Sequence, residues 1–152
     1  MEPSLKQLYK ILLIIYASLI VGVVIFQAVA ISLNDWKLPD FAPEIDILNI
    51  ISLCMFFLIP AGKMVSDKLL KTIDPDSPAP QKMMKLQTSL ILRWAFIESA
   101  SLFSIVVFIL LNDGKQMIVF LLCLAAFALA SPSREKISTW AKLNSEERRE
   151  LM

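Results

Sequence analysis

From Ile11 to Leu33 the chain reads ILLIIYASLIVGVVIFQAVAISL without a charged residue. A helix needs about 20 predominantly apolar residues to cross a hydrocarbon core, and this run supplies them. A secretory leader is the competing reading. Lys6 and Lys10 precede the run, and Ala28-Val29-Ala30 resembles a cleavage site. The apolar stretch, however, exceeds the roughly 7–15 residues of a signal core, so it reads as a retained span.

Three more apolar blocks follow, at 47–61, 86–111 and 116–130. Of the whole chain, 57% is hydrophobic and only 19% charged, below the roughly 25% charged content usual in soluble domains. The predicted fold is therefore all-α, a single polytopic membrane domain over 1–152, with four transmembrane helices as two antiparallel hairpins.

Local chemistry sets the boundaries. Pro43 and Glu44 suit the first turn of the second helix, where a missing N–H costs nothing and a carboxylate meets the positive helix end. Pro60 predicts a bend, since it removes a backbone bond. Lys63, Lys68 and Lys71 carry that helix out of the bilayer by snorkelling. A proline-rich polar linker spans 72–85, with Ser77 to Pro80 starting the third helix. Asn112-Asp113-Gly114-Lys115 is the only connector between the last two spans, so they must pack as a hairpin, with Gly114 available for positive φ.

Beyond the fourth span, Ser131 and Pro132 stop the membrane segment and open a tail at 131–152. Ile137, Trp140 and Ala141 share one helical face there. They predict a short amphipathic C-terminal helix on the membrane surface, with Trp140, Arg134 and Lys136 at the interface. The last charges, Glu146 to Glu150, read as a solvated face.

Cations are distributed unevenly. Lys6, Lys10, Lys63, Lys68, Lys71, Lys82, Lys85, Arg134, Lys136, Lys142, Arg148 and Arg149 all fall on one side of this topology, whereas Lys37 and Lys115 fall on the other, among acids. The positive-inside rule then places both termini in the cytoplasm.

One acid stands inside a span. Glu98, in LRWAFIESASLF, is expected about 10–12 Å deep. Such groups are costly and normally face a bundle interior or water. Arg93 is five residues away and about 140° around the helix, so it is not the natural partner. Ser101 shares the Glu98 face, as do Trp94, Leu102 and Ile105. Polar residues on other spans that could satisfy Glu98 are Gln27, Asn49, Ser52 and Ser18. The intramembrane polar or ion-site candidates are thus Glu98, Arg93, Gln27, Asn49 and Ser101, and a bonded cluster around Glu98 is the expected arrangement.

Little else carries chemistry. The chain has no histidine, which removes the commonest general base and metal ligand. Cys54 and Cys123 lie apart in apolar runs and read as small buried hydrophobes. No phosphate-cradling glycine motif occurs. No enzyme activity, cofactor or metal is expected, and the basic residues are those that topology requires, so nucleic acid is not an expected partner.

The segments LILRWAFIESASLFSIVVFILLNDG, PSREKI and LNSEERREL together resemble a group of small uncharacterised bacterial inner-membrane proteins. The resemblance covers Leu90 to Leu151 and is most specific at Arg93, Glu98 and Pro132 to Ile137. It implies a bacterial inner-membrane location and this architecture, and no activity. The functional expectation is a non-enzymatic membrane protein acting by association, as a homo-oligomer or accessory subunit. The alternative is a proton- or cation-coupled transporter or channel using Glu98.

Overall fold

The computed structural model describes residues 4–35, 41 and 46–151. Trp36 to Asp40 and Ala42 to Ile45 lie outside these, and with them Lys37 and the expected Pro43-Glu44 helix start.

Every regular element among the described residues is helical: α1 (Leu5–Leu33), α2 (Ile47–Phe56), α3 (Leu58–Lys71), α4 (Ala79–Leu111), α5 (Gly114–Leu129), α6 (Arg134–Trp140) and α7 (Ser145–Leu151). Three stretches are long and apolar enough to cross a membrane: α1, α2 with α3, and α4. The α5 helix has 16 residues, about 24 Å at 1.5 Å per residue, short of a hydrocarbon core of about 30 Å. It joins the membrane-length set only when counted with α6, which leaves it at 72°.

Caps account for the helix starts. Ser4 and Gln7 form a reciprocal capping box on α1, and Asp46 accepts from the Leu48 N–H at 2.8 Å to open α2. The expected disturbance at Pro60 is a break at Phe57, between α2 and α3. Pro60 has no N–H to give the Phe56 carbonyl, so the helix is interrupted within the preceding turn. Pro78 caps α4 and Pro80 lies in its first turn. Residues 79–85, expected as linker, are thereby helical, which leaves only 72–78 as the connector.

The centre of the molecule is α4, which packs against α1, α2, α3 and α5. Of its apolar stretch 44% is buried, against 17% in α1 and 11% in the α2–α3 stretch. Its core side chains include Leu86, Leu90, Trp94, Ile97, Ile105 and Phe108. Small residues set the approach of α3. Gly62 and Ser66 are both buried, a Cβ on Gly62 would come within 2.6 Å of the Phe96 Cβ, and Ser66 Oγ meets Ser89 Oγ at 2.8 Å. Close contact between small residues is how helices associate in lipid, where no hydrophobic force drives them together.

The first of the two expected hairpins is not how α1 packs. It lies along α4 in the same direction, with Tyr16 beside Trp94 at a ring separation of 5.1 Å and Asn34 Nδ2 donating to the Phe108 carbonyl at 3.4 Å. The second expected pair, α4 and α5, does pack side by side. Its turn, however, takes its left-handed residue from Asn112, at φ 48°, and not from Gly114. Gly114 is needed for space, because a Cβ there would lie 2.5 Å from the Phe41 ring.

The tail also departs from expectation. It forms two short helices, and Ile137, Ala141, Leu143 and Leu151 are buried against the chain's own core. Trp140 is half-buried against that core. Arg134 stands 5.7 Å from the Tyr9 ring centre, and Lys136 Nζ donates to the carbonyls of Leu129 and Ser131 at the end of α5. Nor is the terminal acidic-basic cluster simply solvated: Glu147 receives the buried Lys82 ammonium at 3.1 Å from both carboxylate oxygens. Lys142 Nζ donates to the Ile73 carbonyl at 2.6 Å, and α7 touches α1. The start of α1, the α3–α4 connector and the tail are thus clasped together at one end of the bundle.

Elsewhere the surface is apolar. Ile14, Ile25, Leu53, Phe57, Leu110 and Leu129 are all more than half exposed, on α4 itself and on the elements packed around it. Large exposed aliphatic surface of this kind fits acyl chains as solvent, not water.

Candidate functional site

Polar groups inside the bundle fall into two sets that the sequence does not separate. The first lies where α2, α4 and α5 meet near the α4–α5 turn. Asn49 Nδ2 donates to Asp113 Oδ2 at 2.8 Å, and Gln116 Nε2 donates to Asn49 Oδ1 at 2.6 Å. Ser52 Oγ donates to Gln116 Oε1 at 2.7 Å, and Ser104 Oγ of α4 donates to the Gln116 carbonyl at 3.3 Å. Asp113 also caps α5 through the Lys115 N–H at 2.9 Å and pairs with the Lys115 ammonium at 3.2 Å.

Each amide in this chain both gives and receives, and the carboxylate is compensated by donors and a cation. A buried network is stabilising only when satisfied in this way. Burial alone would push the Asp113 carboxyl up. The hydrogen bonds from the Lys115 N–H, the Asn49 amide and the Lys115 ammonium, with the Lys115 charge, outweigh that and hold it below the usual carboxylate range. Asp113 therefore stays ionised, and the cluster fastens helices together.

The second is Glu98 alone, and its expected partners are elsewhere. Asn49 and Ser52 belong to the network just described. Gln27 is buried and donates to the Met117 sulfur at 3.0 Å, while its Oε1 has no hydrogen-bond partner among the described residues. Ser101 turns back to the Ile97 carbonyl at 2.9 Å and meets the Cys123 thiol. Ser18 is exposed on α1. Glu98 itself is half-buried and has no hydrogen-bond or ion-pair partner among the described residues.

Helix geometry explains this position. Glu98 is four residues after the fully buried Trp94 and so lies about 40° round α4 from it. The buried sector of α4 runs the other way, through Ile97, Leu90 and Ser104. The carboxyl therefore stands at the rim of the α1–α4 contact, beside half-buried Ile91 and Leu102. Arg93 lies on a different side, in a cleft between α3, α4 and α5 with Lys63. A separate shallow cleft is lined by Leu92, Ala95, Phe96 and Ser99. Neither includes Glu98.

No group of three or more His, Cys, Asp or Glu side chains that could hold a metal is present among the described residues. Cys123 is buried, whereas Cys54, expected to be buried, is exposed on α2. Sequence reasoning missed Asp113 and Gln116, which were read only as turn and span start. A signal for them exists. Asn49 and Ser52 are three apart on α2, as are Asp113 at the cap of α5 and Gln116 in its first turn, so two polar pairs of equal spacing can meet in register. Lys82 and Glu147 carry no comparable pattern. Compared with known proteins, the chain matches no family model, no curated protein and no solved structure.

Proposed function

We propose that this is an integral membrane protein with four crossings and both termini in the cytoplasm, which acts by association through the α1–α4 rim at Glu98. The observation that carries the reading is the lack of any partner for Glu98 within the described fold. An ionisable group at this depth is rare and is ordinarily met by a bundle interior or a water-filled space. A second helix seated on the rim would supply the missing donor and cover the carboxyl. The partner is a second copy of the chain or another membrane protein, and the role is non-enzymatic.

Other features support the same architecture. The cation-rich segments at the clasped end satisfy the positive-inside rule when that end is cytoplasmic, and a bacterial inner membrane fits the resemblance of the second half of the chain. The α5 helix crosses as a short span that ends at its bend into α6.

Two differently tagged copies expressed together test self-association. Recovery of one tag with the other from solubilised membranes, and its loss in Glu98→Leu, is the expected result. Recovery that is unchanged by Glu98→Leu counts against the rim as the contact.

A further inference from the structure

A second surface of α4, remote from the Glu98 rim, carries a cleft of about 240 Å³. Pro60 of α3, Ile97 of α4 and Ala126 and Leu129 of α5 form its apolar walls, and Lys63 and Arg93 bring two cations to it. Its depth follows from helix length. A hydrocarbon core takes about 20 helical residues, and counting them back from the α4–α5 turn at Asn112 ends beside Arg93. The Trp94 Nε1 bond to the Ala130 carbonyl, at 3.2 Å, puts the end of α5 at the same level. Both cations therefore stand where acyl chains give way to phosphates.

These cations are not consumed by the fold. Arg93 is half-buried, and its guanidinium has no hydrogen-bond or ion-pair partner within direct reach among the described residues. Asp67 acts on it only through space. Lys63 is exposed on α3. Lys136 is not among the lining residues; its ammonium is tied to the Leu129 and Ser131 carbonyls. Two lining cations against the one carboxylate that acts on Arg93 leave a net positive mouth beside the apolar walls.

We infer that this cleft is a binding site for an anionic phospholipid of the inner leaflet, with its phosphate between Lys63 and Arg93 and an acyl chain along Ile97 and Leu129. Basic clefts between helices on the cytoplasmic side are the form that such headgroup sites take. The inference rests on the cytoplasmic placement proposed above and is separate from the association at Glu98, since Arg93 lies about 140° round α4 from it.

Native mass spectrometry of the full chain in detergent tests it, with phosphatidylglycerol, phosphatidylcholine and glycerol phosphate as probes. Phosphatidylglycerol should be retained over phosphatidylcholine, and Lys63→Gln or Arg93→Gln should each cost about fivefold of that preference. Ala126→Phe should lower retention of phosphatidylglycerol without changing charge. Should Arg93→Gln fail to fold, the exposed Lys63 still provides the charge test. Equal retention of the two lipids, or a preference that survives Lys63→Gln and Ala126→Phe, overturns the site. Competition by glycerol phosphate as strong as by the lipid overturns the role of the apolar wall and with it the lipid.

Discussion

Asp113 and Glu98 are two acids on one helical hairpin, and the fold treats them oppositely. Asp113 is enclosed by Asn49 and Lys115 and further tied through Asn49 to Gln116, so its charge is met entirely within the chain. Glu98 lies on the longest helix with no polar neighbour bonded to it among the described residues. The first arrangement holds α2 and α5 together. The second makes no bond within the described fold, and on the association proposed above a helix from outside would cover it. A polar group in a bundle is structural when its partners are intramolecular; Asp113 meets that criterion, and Glu98 has no such partner among the described residues.

The sharpest test of the satisfied side is Gln116→Leu. It orphans the Asn49 carbonyl oxygen and the Ser52 hydroxyl together, and unsatisfied buried groups cost about 1–3 kcal/mol each. A loss of about 3 kcal/mol in detergent unfolding is expected, well above that for any change at Glu98. Next comes Gly62→Ala, whose Cβ would collide with the Phe96 side chain. Overpacking of this kind costs about 1–3 kcal/mol, and a thermal melt should show it. Lys82→Met should cost about 2 kcal/mol, because it leaves the Glu147 carboxylate partly buried without its cation.

Acid titration probes the enclosed Asp113 carboxyl. The folded state holds Asp113 below its ordinary value, so the unfolded chain binds the proton more readily. Its stabilising contribution is present above the ordinary carboxylate pKa and is lost as pH falls through the lower folded-state value. Melting temperature in Asp113→Asn should therefore fall less steeply below about pH 4 than in the wild type. The smallest effect is expected from Glu98→Leu, within about 0.5 kcal/mol for the dissociated chain, even though it should abolish association.

Much of the architecture was legible because hydropathy blocks and helix punctuation are local signals. Pro60 marked the break at Phe57, Pro80 the start of α4, and Asn112 to Lys115 the turn into α5. Packing was less so. Adjacency in sequence paired the first two spans, but α1 found α4 because Tyr16, Val23 and Ala30 bury against that side of the bundle. The tail's apolar face was visible, and what it would bury against was not, since Ile137 and Ala141 fit a lipid surface and a protein core equally well. Among the site residues, Glu98 was conspicuous by its charge, yet its partners could not be read. Asn49 and Gln27 were taken by Asp113, Gln116 and Met117, contacts set by helix rotation and not by composition.

The central claim is that Glu98 is completed from outside the chain. A photoreactive residue replacing Leu102, one turn along the same rim, tests it in native membranes. The account predicts a protein adduct that disappears when Glu98 is also changed to Leu. Adducts with lipid alone, or a protein adduct indifferent to Glu98, would contradict it.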